Sequence, residues 1–257
     1  MNIEESYALF LRLRQQLIQL LIIMKNPYPV EYRVKRAFDS SIKFADSYII
    51  QELLERHKPA TCLEIGSFLG FSSRWMLETG KAWGMRVIAV DPNMRHRIFD
   101  NPRWMVEGMN ADFYPEFLEI ITGFFGSATG TCWNSYYKKY LPYRDKEWTE
   151  KYLTGRVLLN GSWERKFDCI FIDGNHSYTA VMADFRCSLS LLSPGGIILF
   201  HDALTTADVK QALEELQTEF SGKAEVAILD GTSTYQHPCL AQESCRWAEG
   251  IGFFRML

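Results

Sequence analysis

The sequence predicts an α/β fold: a mostly parallel, buried sheet with helices on both faces. Three observations carry that expectation. Short runs rich in Val, Ile and Leu recur at 61–65, 86–90, 167–172 and 197–200, as strands buried on both faces require. Each run ends in a turn holding glycine or an acid, and residues with helical spacing follow. The last two runs, 224–229 and 252–256, are joined without a helical segment, unlike the strand–helix alternation before them.

At 257 residues and 47% hydrophobic, the chain can bury one full core. It reads as a single domain over 1–257, with a core from 46 to 257, an N-terminal extension over 1–45 and an insertion over 123–165. A net charge of −3 marks no nucleic-acid surface. Cys62, Cys132, Cys169, Cys187, Cys239 and Cys245 form no dense framework, so reduced thiols and a cytoplasmic location are expected. His237, Cys239 and Cys245 sit together in a late loop, but their spacing matches no standard zinc pattern.

Residues 4–24 read as a helix closed by Pro27 and Pro29. Leu17 to Met24 is very apolar, yet a bilayer span needs roughly 20 such residues. Arg12, Arg14, Gln15, Gln16 and Gln19 interrupt any longer window. A signal peptide would offer small residues where Lys25-Asn26-Pro27-Tyr28-Pro29 stands. The helix is therefore expected to bury against the body or a partner subunit, making a homo-oligomer through it or through 123–165 the anticipated assembly. Residues 25–45 read as an irregular connector, and Ser47 to His57 as a helix ending before Pro59.

Strand 61–65 runs into Gly66 and Gly70, which permit a tight turn and close approach of a ligand. Ser72 or Ser73 is placed to cap a helix over 74–83. Strand 86–90 ends in Asp91, positioned to accept hydrogen bonds from a ribose diol, as nicotinamide enzymes also arrange; a turn aspartate before Pro92 is the plainer alternative. Arg103 to Gly108 reads as the third strand, ending in Asn110-Ala111-Asp112, which also suits the cap of a helix over 113–121. Arg156 to Asn160 is the competing third strand. Residues 123–165 are too aromatic for disorder and call for short helices of their own, for example Lys146 to Leu153. This stretch suits a lid, a substrate wall or an oligomer contact. Strand–helix order takes it out at the edge away from the cofactor, which favours the contact.

Strand 167–172 leads into Asp173 and His176, then a helix over 178–192 stopped by Ser193-Pro194-Gly195-Gly196. Strand 197–200 ends in His201-Asp202-Ala203, and Thr206 and Asp208 flank a helix reaching Phe220. Function in open α/β sheets gathers at the carboxyl ends of strands, so two carboxylates and two imidazoles should converge there. Carboxylates suit Mg²⁺, Mn²⁺ or Ca²⁺, and imidazole draws a site toward Mn, Fe, Ni or Zn. The loop over 230–249 should return across this edge.

The glycine turn reads Glu64-x-Gly66-x-x-x-Gly70-Phe71-Ser72, not G-x-G-x-x-G, and Phe68 occupies a place a dinucleotide fingerprint keeps small. It resembles motif I of class I S-adenosylmethionine-dependent methyltransferases. Together with Phe171-Ile-Asp-Gly-Asn-His-Ser-Tyr178, Leu192-Ser-Pro-Gly-Gly196 and His201-Asp-Ala203, it makes residues 45–257, apart from the insertion, similar to the small-molecule O-methyltransferases related to catechol and macrolide-sugar enzymes. The resemblance implies a Rossmann-like sheet of seven strands with the last antiparallel. It implies S-adenosylmethionine bound by Glu64, Gly66, Ser67, Phe68, Gly70, Ser72, Asp91, Asn110, Ala111, Asp112 and Asp173. It further implies Mg²⁺ or Mn²⁺ on Asp173 and Asp202, His176 as general base, and a sugar, polyketide or phenol hydroxyl as acceptor. One departure stands out: the family carries a second acid or amide beside the Asp202 position, where this chain has His201 and Ala203. Either His201 is the third ligand, or it is a packing histidine and metal binding is weak or absent. A nicotinamide-dependent oxidoreductase is the main alternative, opposed by Phe68 and the paired acidic strand ends. A non-catalytic cofactor-binding module is opposed by the joint presence of Asp173, His176 and Asp202.

Overall fold

The computed structural model describes residues 1–93, 96, 98–100, 102–123, 125, 166–231 and 248–257. Seven strands, β1 (Thr61–Ile65), β2 (Arg86–Asp91), β3 (Leu118–Thr122), β4 (Phe167–Ile172), β5 (Leu192–Phe200), β6 (Ala224–Leu229) and β7 (Ile251–Met256), form one sheet. Their order is β3-β2-β1-β4-β5-β7-β6. All neighbours are parallel except β7, which runs antiparallel to both β5 and β6. This is the Rossmann-like methyltransferase sheet expected from the sequence.

The two-residue period of the strands divides the core into two layers. Cys62, Val87, Ala89, Leu118, Cys169 and Leu199 face α1 (Ile3–Ile23), α3 (Phe44–His57), α4 (Phe71–Gly80) and α5 (Pro102–Met109). Leu63, Ile65, Ile88, Val90, Ile170 and Phe200 face α6 (Tyr178–Leu191) and α7 (Ala207–Glu219) on the other side.

The N-terminal helix begins with reciprocal bonds between Asn2 and Glu5, which satisfy two otherwise unpaired N–H groups. Leu9, Phe10, Leu13, Leu17 and Leu21 recur at helical spacing and are buried. Phe10 meets Phe44, Phe71 and Trp75 with ring centroids 5.3–5.9 Å apart. Burying each such side chain is worth roughly 1.5–3 kcal/mol. The chain itself therefore covers this stripe. Among the described residues, no helix is long and apolar enough to cross a membrane.

Two expectations about elements need correction. The connector over 25–45 contains α2 (Val30–Asp39). Its Arg33 is buried and donates to the carbonyls of Leu21 and Met24, closing the end of α1. The third strand is not Arg103 to Gly108, which lies within α5; Pro102 takes the first helical turn, and Pro102, Met105, Val106 and Met109 are buried at helical spacing. Strand β3 comes instead from Leu118–Thr122, all but its last residue inside the helix expected over 113–121. Residues 124 and 126–165, including the alternative strand 156–160 and the helix expected at 146–153, lie outside the described residues, as do Cys132, His237, Cys239 and Cys245. Cys62, Cys169 and Cys187 are free thiols.

Candidate active site

The first corner of the site is made by the turn between β1 and α4. Gly66 and Gly70 both have positive φ, +88° and +79°. A Cβ on Gly66 would lie 2.3 Å from the Asp173 carbonyl oxygen, so only glycine lets the β1 and β4 ends pass each other. Asp91 braces the turn. Its Oδ2 accepts from the N–H groups of Ser67 and Phe68, each at 3.0 Å, and its Oδ1 accepts from the N–H of Asn93 at 2.6 Å. Burial raises the Asp91 pKa and these three N–H groups oppose the rise. Three of roughly four acceptor positions are thus in use, leaving about one for a ligand hydroxyl. Phe68 holds φ of 44°, uncommon for a bulky residue. Its ring packs edge-on against Phe99 and His96, with centroids 5.5 and 5.1 Å away.

Beneath the turn, Glu64 is fully buried and accepts from the hydroxyls of Ser72 and Ser73. Burial pushes its pKa up to about 8, even though both hydroxyls favour the ionised form. Ser72 therefore does not cap α4, whose N-cap is Gly70. Glu64, Ser67, Gly70 and Ser72 shape the turn from below and do not line the cavity above it.

The second corner lies at the ends of β4 and β5. His201 continues the ladder, donating its N–H to the Ile172 carbonyl, and the left-handed backbone of Asp202 (φ 60°) turns its carboxylate back toward β4. His176 stands between two acids, with Nε2 3.3 Å from Asp173 Oδ1 and Nδ1 3.1 Å from Asp202 Oδ2. His201 Nδ1 is 3.1 Å from the same Asp173 oxygen and 3.7 Å from Asp202 Oδ2. Burial alone would raise the Asp173 pKa, but the two imidazoles hold it down at about 2. Burial opposes protonation of both histidines, yet the acids win: His176 is raised, chiefly by Asp173, and His201 is raised well above its ordinary value by Asp173, Asp46 and Asp202.

Ligand atoms of Asp173, His201 and Asp202 all lie within 4.8 Å of one another. Neighbouring donors around an octahedral ion with bonds near 2.1 Å sit about 3 Å apart, so this set of two carboxylates and one imidazole fits a divalent cation.

Both corners open into a cavity of about 410 Å³. Gly66, Phe68, Asp91, Asp173, His176, His201 and Asp202 line it. Asn110, Ala111 and Asp112 do not, correcting their expected place at a strand end. Asn110 is fully buried and donates to the Gly70 and Val106 carbonyls, while Asp112 pairs with Arg74 at 2.9 Å. The carboxyl end of β3 instead presents Gly123 and Phe125 to the cavity. The stretch beginning at 123 thus leaves from the cavity edge, not the opposite one, which removes the reason given for preferring an oligomer contact. Asp39, Ser40, His96, Asn175 and Glu249 also line the cavity and were missed. The end of the 230–249 loop does return over this edge, where Ala203 and Leu204 donate to the Gly250 and Glu249 carbonyls. Residues 232–247 lie outside the described residues.

A seven-stranded sheet of this order, with its glycine turn and acidic strand ends, defines a class I methyltransferase fold. Residues 63–203, more than half of the chain, match the family model of a methyltransferase domain, and the chain belongs to that family. No curated protein matches it. Among solved structures it is similar to an O-methyltransferase from Bacillus cereus in complex with S-adenosylhomocysteine, at 16% identity and a TM-score of 0.55, covering 96% of this chain and 91% of that one. It is also similar to the O-methyltransferase TomG of Streptomyces achromogenes, involved in tomaymycin synthesis and bound to S-adenosylmethionine, at 15% identity and a TM-score of 0.52 over 86% and 85% of the two chains. A methyltransferase of Podospora anserina, bound to S-adenosylhomocysteine, shows 14% identity and a TM-score of 0.52 over 95% and 88%. These likenesses establish a shared fold.

Proposed function

We propose that the protein transfers a methyl group from S-adenosylmethionine to a hydroxyl of a small molecule such as a sugar, polyketide or phenol. The observation that carries this reading is the convergence of Asp173, His176, His201 and Asp202 beside the glycine turn of a methyltransferase fold. The cofactor supplies a methyl group activated by its positive sulfonium. His176 would take the proton that the acceptor hydroxyl gives up as its oxygen gains the methyl and the donor leaves as the thioether. The ring of His176 lies between Asp173 and Asp202, whose charges stabilise the imidazolium as it forms. Gly66, Phe68 and Asp91 would hold the nucleoside side, and the strand ends would present the acceptor to the methyl. Asp173, His201 and Asp202 would hold Mg²⁺ or Mn²⁺, which supplies a Lewis acid that lowers the pKa of the acceptor hydroxyl.

Charge favours this reading over a nicotinamide enzyme. Five acids, Asp39, Asp91, Asp173, Asp202 and Glu249, line the cavity against three histidines, His96, His176 and His201, and no lysine or arginine does among the described residues. That field attracts a sulfonium and a divalent cation and repels the diphosphate of a dinucleotide. Isothermal titration with S-adenosylmethionine and separately with NAD⁺, each with and without Mn²⁺, tests the proposal. Saturable binding of S-adenosylmethionine and heat from Mn²⁺ are expected. Binding of NAD⁺ alone would overturn it.

A further inference from the structure

We infer that Asp46, far from β4 and β5 in sequence, is a positioning residue of the site: with Glu249 it holds the Nε2 side of His201, turning Nδ1 to Asp173 and Asp202. The inference rests on the proposed role of those three residues as cation ligands.

Asp46 lies in the first turn of α3 and is fully buried. It is locked in place by two backbone groups, accepting from the Glu249 N–H at 2.8 Å and the Gly250 N–H at 2.9 Å. Its Oδ2 is 3.8 Å from His201 Nε2, and Glu249 Oε2 is 3.4 Å from the same atom. Lys43 at 3.4 Å balances part of the Glu249 charge. His201 is only 5% exposed, and its Nε2 makes no hydrogen bond of standard geometry. This buried nitrogen therefore faces a pair of acids without a hydrogen bond of standard geometry to either.

The consequence follows from elementary electrostatics. Both ring nitrogens of His201 face carboxylates, Nδ1 at 3.1 and 3.7 Å and Nε2 at 3.4 and 3.8 Å, and an N–H is attracted to them. A cation on Asp173 and Asp202 would compete for Nδ1 alone, so the proton kept by Asp46 and Glu249 on Nε2 leaves the lone pair on Nδ1 for that cation. Metal-binding histidines commonly depend on a carboxylate that holds the other ring nitrogen, and losing that partner costs about 10–100-fold in metal affinity. Asp46 and Glu249 occupy that place here, and they come from opposite ends of the chain.

The test uses the full-length protein, the variants Asp46→Asn and Glu249→Gln, and two readouts. The ¹H–¹⁵N spectrum of the imidazole rings should show a His201 Nε2–H proton that shifts in both variants. Paramagnetic resonance of free Mn²⁺ should show affinity falling about 10–100-fold in Asp46→Asn, with S-adenosylmethionine affinity in metal-free buffer within about twofold of the parent. Glu249→Gln leaves the backbone bonds to Asp46 intact and so keeps the test open if Asp46→Asn fails to fold. An absent Nε2–H proton, or Mn²⁺ affinity unchanged in both folded variants, would overturn the inference. A parent protein that shows the Nε2–H proton but binds no Mn²⁺ would instead overturn the cation reading and leave the positioning of His201 standing.

Discussion

The two corners of the site sit side by side on one sheet edge, yet they are built on opposite principles. At the β1–β2 corner each acid is met by its own surroundings: Asp91 by three backbone N–H groups, Glu64 by two serine hydroxyls. At the β4–β5 corner acids and imidazoles meet chiefly each other, and Asp173 Oδ1 is shared by two rings. The first corner is a finished shape, set before any ligand arrives. The second is a charge assembly whose state depends on what positive charge enters it, whether protons or a divalent ion. Shape at one corner and adjustable charge at the other is the division of labour that a group transfer needs.

Three experiments would break or sharpen this contrast. The largest effect is expected from His176→Ala, which removes the proton acceptor but no part of the glycine turn. Turnover should fall about 10²–10⁴-fold while calorimetric affinity for S-adenosylmethionine stays within about twofold; equal losses in both would mean that the corners are not separable.

Glu64→Gln probes the finished corner through pH. The folded-state pKa of Glu64, about 8 against an ordinary 4.5, lets the folded protein hold a proton that the unfolded chain releases. Stability from this group is therefore present below the unfolded pKa and lost as pH rises through the folded one. The loss is of order 3–5 kcal/mol at most. Between about pH 5 and about pH 9 the denaturant midpoint should fall further in the parent than in the glutamine variant. A parallel pH response of the two proteins would show that Glu64 is ionised in the fold.

The smallest effect is expected from Asp112→Ala. It breaks an ion pair whose acid is 74% exposed, so the cost should stay below about 1 kcal/mol, with no change in cofactor affinity. A tenfold weaker titration would return Asp112 to the cofactor site.

Strands β1, β2, β4 and β6 were legible because short apolar runs ended at glycine or aspartate, and β7 because its run followed Gly250. Strand β5 was legible only over 197–200, since Leu192 to Gly196 read as a helix end and its stop. Asp173, His176, His201 and Asp202 were legible as a cluster because strand ends in such a sheet lie on one edge. The β3 error shows the limit of pattern. Arg103 to Gly108 and Leu118 to Thr122 are both short, and short apolar runs fit period 2 and period 3.6 alike. The overlooked signals were Pro102, which favours a first helical turn, and the pair Ile120-Ile121 before Gly123, which favours a strand. Helix α2 was hidden because Glu31, Arg33, Lys35 and Arg36 crowd a stretch between prolines and serines; nothing local reveals that Arg33 turns inward. Asp39, Asp46 and Glu249 were beyond reach for a different reason. Their place at the site is a tertiary fact, and no spacing rule connects residue 46 to residue 249.

The bonds from Glu249 and Gly250 to Asp46 close loops of 203 and 204 residues. Such closure is entropically expensive and is reached late, after local elements have formed. A chain emerging from the ribosome can assemble β1, β2 and the glycine turn while much of it is still unmade. The acid–histidine corner has no such head start: its Asp46 anchor receives its partners only when the segment leading into β7 has been synthesised. Synthesis thus sets the earliest moment at which this anchor can form, once residues 249 and 250 have been made.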